Sequence, residues 1–292
     1  MAKGSRLKAK GKPFFPFAFS LEPLAWGHMS NIIRDKVRHS FDRQASDYDS
    51  HARVQRRVVE RLVGLLNADG VTPSRILDVG AGTGRLLAAL GRCFPAALAV
   101  GCDLAPGMCR TAAENLGGKA LMVNADAENL PFAEASFDLV LSTSTFQWLA
   151  TLDVAFAEAR RVLAPGGLFC FALFGEKTLF ELRDSYRKVL KGDYDRTHSF
   201  FSGAEVRQAL RRAGFSEVST FSEMEIEHHG DVPELLKSLK RIGAGSAAPT
   251  SSRGLSQRRV MLDMMESYRR EFGRDGVIPA SYEVVYGMGR KS

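Results

Sequence analysis

Between residues 78 and 84 the chain reads Asp78-Val79-Gly80-Ala81-Gly82-Thr83-Gly84. Three glycines at alternate positions permit a tight backbone turn and close approach of main-chain amides to a ligand. One carboxylate, Asp78, stands at the mouth of that turn. A second, Asp103 beside Leu104, lies about 20 residues beyond Gly84, where a strand-end acid can accept hydrogen bonds from ribose hydroxyls. Further on, Asn124-Ala125-Asp126-Ala127-Glu128 follows a third apolar run. There Asp126 can accept an adenine amino group, and the Ala127 amide can reach a ring nitrogen. Ser142 ends a fourth apolar run beside the same cleft.

The spacing decides between kinds of nucleotide chemistry. The dinucleotide fingerprint is G-x-G-x-x-G, but here Arg85 occupies the third glycine position. No Gly-Lys-Ser/Thr follows, so the turn is not a Walker loop. Asp78 would also repel a phosphate at the turn. The pattern fits a cofactor that carries adenosine without phosphate, together with an amine and a positive centre. S-adenosyl-L-methionine is such a molecule.

These residues need a scaffold that brings strand ends together. Arg75–Val79, Leu98–Asp103, Ala120–Val123, Phe137–Ser142 and Leu168–Phe174 read as short apolar strands. Helical segments lie between most of them, at Arg85–Arg92, Met108–Asn115 and Val154–Leu163, and Pro165-Gly166-Gly167 reads as a turn. Repeated β-α-β units with continuous apolar strands predict a parallel sheet covered on both faces, with right-handed crossovers. Upstream, Ile33, Val37 and Phe41 recur every four residues, and Val54, Val58, Leu62 and Leu65 form a second helical stripe. Downstream, residues 176–200 are charged and partly helical. A helix from Glu205 to Ala213 closes at Gly214, a strand occupies 216–221, helices fill 232–273, and Tyr282–Gly287 is a late strand. The Gly/Ser/Ala-rich stretch 243–254 reads as a loop or mobile lid.

The run Asp78–Gly84, with Asp103, Asp126-Ala127, Leu130-Pro131-Phe132 and Phe137-Asp138-Leu139-Val140, resembles the motifs of class I S-adenosylmethionine-dependent methyltransferases over residues 72–175. The resemblance implies an α/β, Rossmann-like seven-stranded sheet whose last strand, Tyr282–Gly287, is antiparallel. It implies an N-terminal helical lid (31–70), a cofactor-binding core (72–175) and helical substrate-side insertions (176–200 and 232–273). Phe41-Asp42-Arg43-Gln44-Ala45, Tyr48, Gln55, Gln147-Trp148, Leu239–Ala244 and Ile278–Val284 extend it to residues 36–289. These flanks are similar to the malonyl-acyl-carrier-protein O-methyltransferase family of biotin synthesis. Phe174–Leu179 and Tyr268–Tyr286 are also similar to a related complex I assembly factor that is a hydroxylase. Besides a malonyl carrier-protein thioester, the acceptor alternatives are another small acid, a quinone precursor or a protein arginine.

A malonyl acceptor is already a carboxylate near neutral pH, so the chemistry asks for positioning and no general base. It asks for a cation near that carboxylate. Lys237, Lys240 and Arg241 fall at i, i+3 and i+4 on one helix face, which either is simply solvated or meets an acidic carrier protein. Arg183 and Arg187 present the same choice. Tyr48 and Gln55 can close over a sulfonium, or Tyr48 can pack on the sheet. Gln147 and Trp148 line the acceptor pocket, or Trp148 belongs to the core.

Composition sets the frame: 292 residues, 45% hydrophobic and 25% charged, with a net charge of +7. That is globular composition, not disordered or disulfide-stapled. Before Met29 lie five Lys/Arg and one Glu, so this segment carries +4 and the remainder only +3. Residues 1–28 read as a disordered basic leader, or as an arm for an acidic partner, and 29–292 as one methyltransferase domain. The mild charge of the body, and the absence of a Pro-Pro-aromatic or Pro-Cys signature after the fourth strand, argue against nucleic acid as acceptor. Cys93, Cys102, Cys109 and Cys170 form no CxxC pair, which argues against a metal site and for a reducing compartment. No apolar run is long enough to span a bilayer. The expectation is a cytoplasmic monomer.

Overall fold

The computed structural model describes residues 34–190, 200–243 and 255–292. The leader and most of the predicted 243–254 loop lie outside them. Three helices come first: α1 (Arg34–Gln44), α2 (Tyr48–His51) and α3 (Arg53–Asp69). In α3 the apolar stripe Val54, Val58, Leu62 and Leu66 is buried, so the fourth member of the period is Leu66 and not Leu65. Gly70 ends the helix with φ +70°, a left-handed conformation that costs glycine little.

The alternating units follow: β1 (Arg75–Val79), α4 (Arg85–Cys93), β2 (Leu98–Asp103), α5 (Pro106–Leu116), β3 (Leu121–Asn124) and β4 (Phe137–Thr143). After a single 3₁₀ turn at Phe146–Trp148 come α6 (Asp153–Val162), β5 (Leu163–Phe174), α7 (Phe180–Val189), α8 (Gly203–Arg212) and β6 (Ser216–His229). The chain ends with α9 (Val232–Arg241), α10 (Leu255–Phe272) and β7 (Ile278–Arg290). The seven strands form one sheet in the order β3-β2-β1-β4-β5-β7-β6. Strands β1 to β5 pair in parallel, and β7 is antiparallel to both β5 and β6.

Alternate strand residues face opposite cores. Ile76, Leu139 and Cys170 join Leu62, Leu66 and Tyr268 on the side of α3 and α10. Leu77, Val140, Phe169 and Phe171 join Phe146 and Phe156 on the side of α6 and α8. Ring centroids in that second core lie 4.8–6.0 Å apart, mostly edge-to-face, a favoured aromatic geometry.

Two strands are longer than their sequence suggests. β6 runs on to His229 and β7 spans Ile278–Arg290, against expectations of 216–221 and 282–287. In β6 the inward positions are acids. Glu223 meets Arg61 at 2.6 Å and Glu225 meets Arg57 at 2.5 Å, both from α3, while Met224 and Ile226 point outward. An alternation whose polar members face inward conceals a strand from a hydrophobic-pattern reading. Pro165-Gly166-Gly167, expected as a turn, is an irregularity inside β5, stitched to the C-terminus by Gly166 N donating to Lys291 O and Lys291 N to Gly167 O.

Strand order reverses between β1 and β4. In open α/β sheets the crevice at such a reversal, beyond the carboxyl ends of the strands, receives ligands. The glycine turn leaves β1 there, and the 3₁₀ turn with Gln147 and Trp148 follows β4.

Candidate functional site: a cofactor cleft and a lidded acceptor cavity

The glycine turn is fixed by backbone bonds. The amides of Gly80 and Ala81 both donate to the Cys102 carbonyl, at 2.8 and 2.9 Å. Gly80 has φ +73°, and a Cβ there would lie 2.2 Å from Thr145 Oγ1. Gly82 has φ +55° with open space where its Cβ would point, so its backbone angle favours glycine while the space beside it stays clear.

Asp103 organises this turn. Its Oδ2 accepts from the Gly82 amide at 2.9 Å and its Oδ1 from the Ala105 amide at 2.8 Å. Burial raises its pKa above the usual carboxylate range, while those amide bonds oppose the rise. Leu104 lies alongside, its carbonyl accepting from Asn124 Nδ2 at 3.0 Å. Asp78 has the opposite surroundings. It is 1% exposed, and neither carboxylate oxygen has a hydrogen-bond partner. Burial, and then the charge of Asp103, push its carboxyl up to about 8. Two bare buried oxygens at a glycine turn form a receptor for a cationic donor, which suits the ammonium of S-adenosyl-L-methionine.

Asp126 lies at the end of β3 in a tight turn. Its Oδ1 accepts from the Glu128 amide at 2.9 Å, and its Oδ2 is engaged by Arg34 of α1 at 2.8 Å. Arg34 also pairs with Glu128. The acid expected to face adenine is thus already paired with an arginine of α1. Ala127 occupies the same turn, half-buried. The Ser142 hydroxyl is wholly buried and donates to the Val79 carbonyl at 2.7 Å, tying the end of β4 to the end of β1 where the glycine turn begins.

Beside the turn lies a cavity whose walls include Phe41, Tyr48, Gln55, Gln147, Trp148 and Tyr282. Gln147 is 1% exposed. Its Nε2 donates to the Ser144 carbonyl at 2.7 Å, and its Oε1 is buried without a partner. Phe41 meets Trp148 and Tyr48 edge-on, with centroids 5.6 and 6.1 Å apart. Tyr48 belongs to both regions: its ring lines the cavity, and its hydroxyl is held above the ordinary phenol pKa by burial and then by Asp103. Ser144 and Leu179, also on the wall, hold φ values of +55° and +52°. Each costs about 1–3 kcal/mol, a strain that collects at functional sites.

The expected cations are elsewhere. Lys237, Lys240 and Arg241 are exposed on the outer face of α9, whose inner residues Leu239 and Ile242 line the cavity. Arg183 follows Leu179 by one helical turn and is half-buried. Its Nη2 donates to the Glu176 carbonyl, its Nε is buried without a partner, and desolvation lowers its pKa. No Lys or Arg among the described residues lines the cavity, so the anion-pairing cation anticipated beside the acceptor is not brought there by these residues.

Several residues were not singled out from the sequence. Asp49 accepts from Thr83 Oγ1 at 2.8 Å and pairs with Arg85 at 3.1 Å, fastening α2 to the glycine turn. Asp42 accepts from the Gly107 amide at 2.5 Å, fastening α1 to the first turn of α5. Ser40 Oγ donates to the Gly243 carbonyl at 3.1 Å. Phe41, Leu239, Ile242 and Tyr282 belong to the flanking segments of the family resemblance, but their apolar character gives no sign of a place on a cavity wall. Among the described residues no group of three His, Cys, Asp or Glu is placed to hold a metal, and no helix is long and apolar enough to cross a membrane.

Comparison with known proteins places this geometry. A methyltransferase-domain family model matches residues 77–171. A malonyl-[acyl-carrier protein] O-methyltransferase of Geobacter sulfurreducens is 57% identical over 266 residues, covering 89% of this chain and all of the relative. The enzyme of that name from Methylovorus is 39% identical, covering 89% of this chain and 90% of the relative. Among solved structures, a putative methyltransferase of Bacillus halodurans aligns with a TM-score of 0.55 at 21% identity, over 79% of this chain and 98% of that one. A methyltransferase of Thermotoga maritima aligns with a TM-score of 0.52 at 20% identity, over 88% of this chain and all of that one. These two likenesses establish the fold. The sequence relatives go further: the chain belongs to the malonyl-[acyl-carrier protein] O-methyltransferase family of S-adenosylmethionine-dependent class I methyltransferases.

Proposed function

We propose that the protein methylates the free carboxylate of a malonyl group carried as a thioester on acyl carrier protein, as the names of its relatives indicate for them. The observation that carries this reading is Tyr48, which joins a cleft suited to an adenosyl amino acid to a neutral cavity suited to a small acyl group. When bound, S-adenosyl-L-methionine supplies an electrophilic methyl carbon that passes to a carboxylate oxygen, the carbon–sulfur electron pair staying on sulfur.

The chain supplies position. Asp103 receives the ribose hydroxyls, Asp126 and the Ala127 amide receive adenine, and Asp78 receives the ammonium. Tyr48 and Gln55 cover the sulfonium side, while Gln147 and Trp148 bound the acyl group. The acceptor is ionised near neutral pH, so no residue needs to remove a proton. Neutral walls favour a reaction that consumes one positive and one negative charge, because a poorly solvating site stabilises the separated charges less than their neutral products. Outside, Lys237, Lys240 and Arg241 form a face for the acidic carrier protein, directly behind the cavity residues Leu239 and Ile242.

Incubation with labelled donor and a panel of malonyl, aconitate and quinone-type acceptors tests the assignment. Label is expected on the malonyl thioester; label only on another acceptor would overturn it.

A further inference from the structure

Asp78, buried, and Asp103, half-buried, are neighbouring carboxyls on adjacent strand ends, and their surroundings are unequal. Asp103 receives two backbone amides, at 2.9 and 2.8 Å, which hold its negative charge. Asp78 receives none, and both its oxygens are sealed from water. We propose that, without ligand, Asp78 is the neutral acid, and that the ammonium group of the cofactor displaces its proton on binding. The inference rests on the cofactor reading above and adds how the amine is selected.

The balance is simple. A carboxylic acid and an ammonium ion enter, a carboxylate–ammonium pair forms, and one proton leaves to solvent. No other bond changes. The groups around Asp78 favour storing the proton there. From β2 it faces Asp103 and the Cys102 thiol, itself raised by burial. From α2, Tyr48 and Asp49 stand beyond Asp103, and Arg85 of α4 is spent on Asp49. From β4, the Ser142 hydroxyl is committed to the Val79 carbonyl. No cation among these groups touches Asp78. Its titration to about 8 agrees with the geometry.

The consequence is selection by charge exchange. A ligand that brings an ammonium converts a neutral acid into a paired ion; an adenosine thioether without the amino acid leaves the proton in place. Well below pH 8 the ligand must expel that proton and affinity falls roughly tenfold per pH unit, while at high pH the ligand's own amine loses its charge and affinity falls again.

Titration calorimetry with S-adenosylhomocysteine, in two buffers of different ionisation heat, reads the exchange without turnover. At pH 6.5 the release of about one proton per ligand is expected, and at pH 9.5 an uptake. 5′-Methylthioadenosine, which lacks the amine, is expected to exchange none with the unaltered protein, and S-adenosylhomocysteine none with Asp78→Asn. Binding at pH 6.5 with buffer-independent heat overturns the inference while leaving the cofactor assignment intact. Undiminished release by Asp78→Asn does the same. Absence of any binding heat overturns both.

Discussion

On the cofactor side of the site, titratable groups are concentrated: the carboxyls of Asp78 and Asp103 occupy adjacent strand ends, and only Asp103 is satisfied by amides. On the acceptor side, the cavity walls are aromatic, amide and aliphatic groups drawn from α1, α2, the turn after β4, α9 and β7. The contrast follows the chemistry each side must serve. A carboxyl pair of this kind suits a charged amine and a diol, which keep their character through methyl transfer. The reacting centres lose their charges, so a fixed cation beside the acceptor would hold the substrate better than the transition state and slow the step. The cations sit instead on the outside of α9, where they can steer a carrier protein without touching the chemistry.

Four variants probe this contrast, from the largest expected effect to the smallest. Asp78→Asn removes a buried carboxyl whose proton the folded state keeps and the unfolded state loses above the ordinary carboxylate range. That difference makes stability fall as pH climbs toward about 8. The variant should therefore gain several kcal/mol at pH 9 relative to pH 5, read as a higher Tm in the cofactor-free protein. Equal Tm differences at both pH values would refute the charge assignment. Asp103→Ala strands two buried amides, each costing about 1–3 kcal/mol, and removes the ribose acceptor. Cofactor affinity should fall about 100-fold or more by calorimetry.

Asp49→Ala unfastens α2 from Thr83 and Arg85 while leaving both carboxylates of the cleft in place. Cofactor dissociation should quicken about tenfold, the loss of roughly one charge-assisted hydrogen bond, with Tm little changed. Replacing Lys237, Lys240 and Arg241 by Glu should raise KM for malonyl carrier protein several-fold, most at low salt, since exposed charges are worth about 1 kcal/mol or less each. KM for a small malonyl thioester should not move. An equal rise for both would place these cations in the chemistry after all.

The same division explains what the sequence made legible. The cofactor side is written in contiguous residues: the turn from Asp78 to Gly84, then acids at the ends of β2 and β3. Strand ends and glycine spacing are local properties, so the placement of Asp103 at the turn follows from them. Ser142 shows the limit: its position at the end of β4 is visible in the sequence, but the bond that commits its hydroxyl to the Val79 carbonyl is not. The cavity is assembled from residues as far apart as Phe41 and Tyr282; their segments mark the family, but their residue types do not separate a cavity wall from core. In α9 the visible signal was the cationic face, whereas the apolar face of Leu239 and Ile242 reaches the cavity. β6 was read short because its inward residues are glutamates answered by arginines of α3.

The intact mass of malonyl acyl carrier protein after incubation with this protein and S-adenosyl-L-methionine tests the proposed function most directly. The expected result is the gain of a single methyl group, lost when the malonyl carboxylate is replaced by a methyl in the acyl chain. A carrier protein of unchanged mass, with active cofactor-bound protein present, would contradict it.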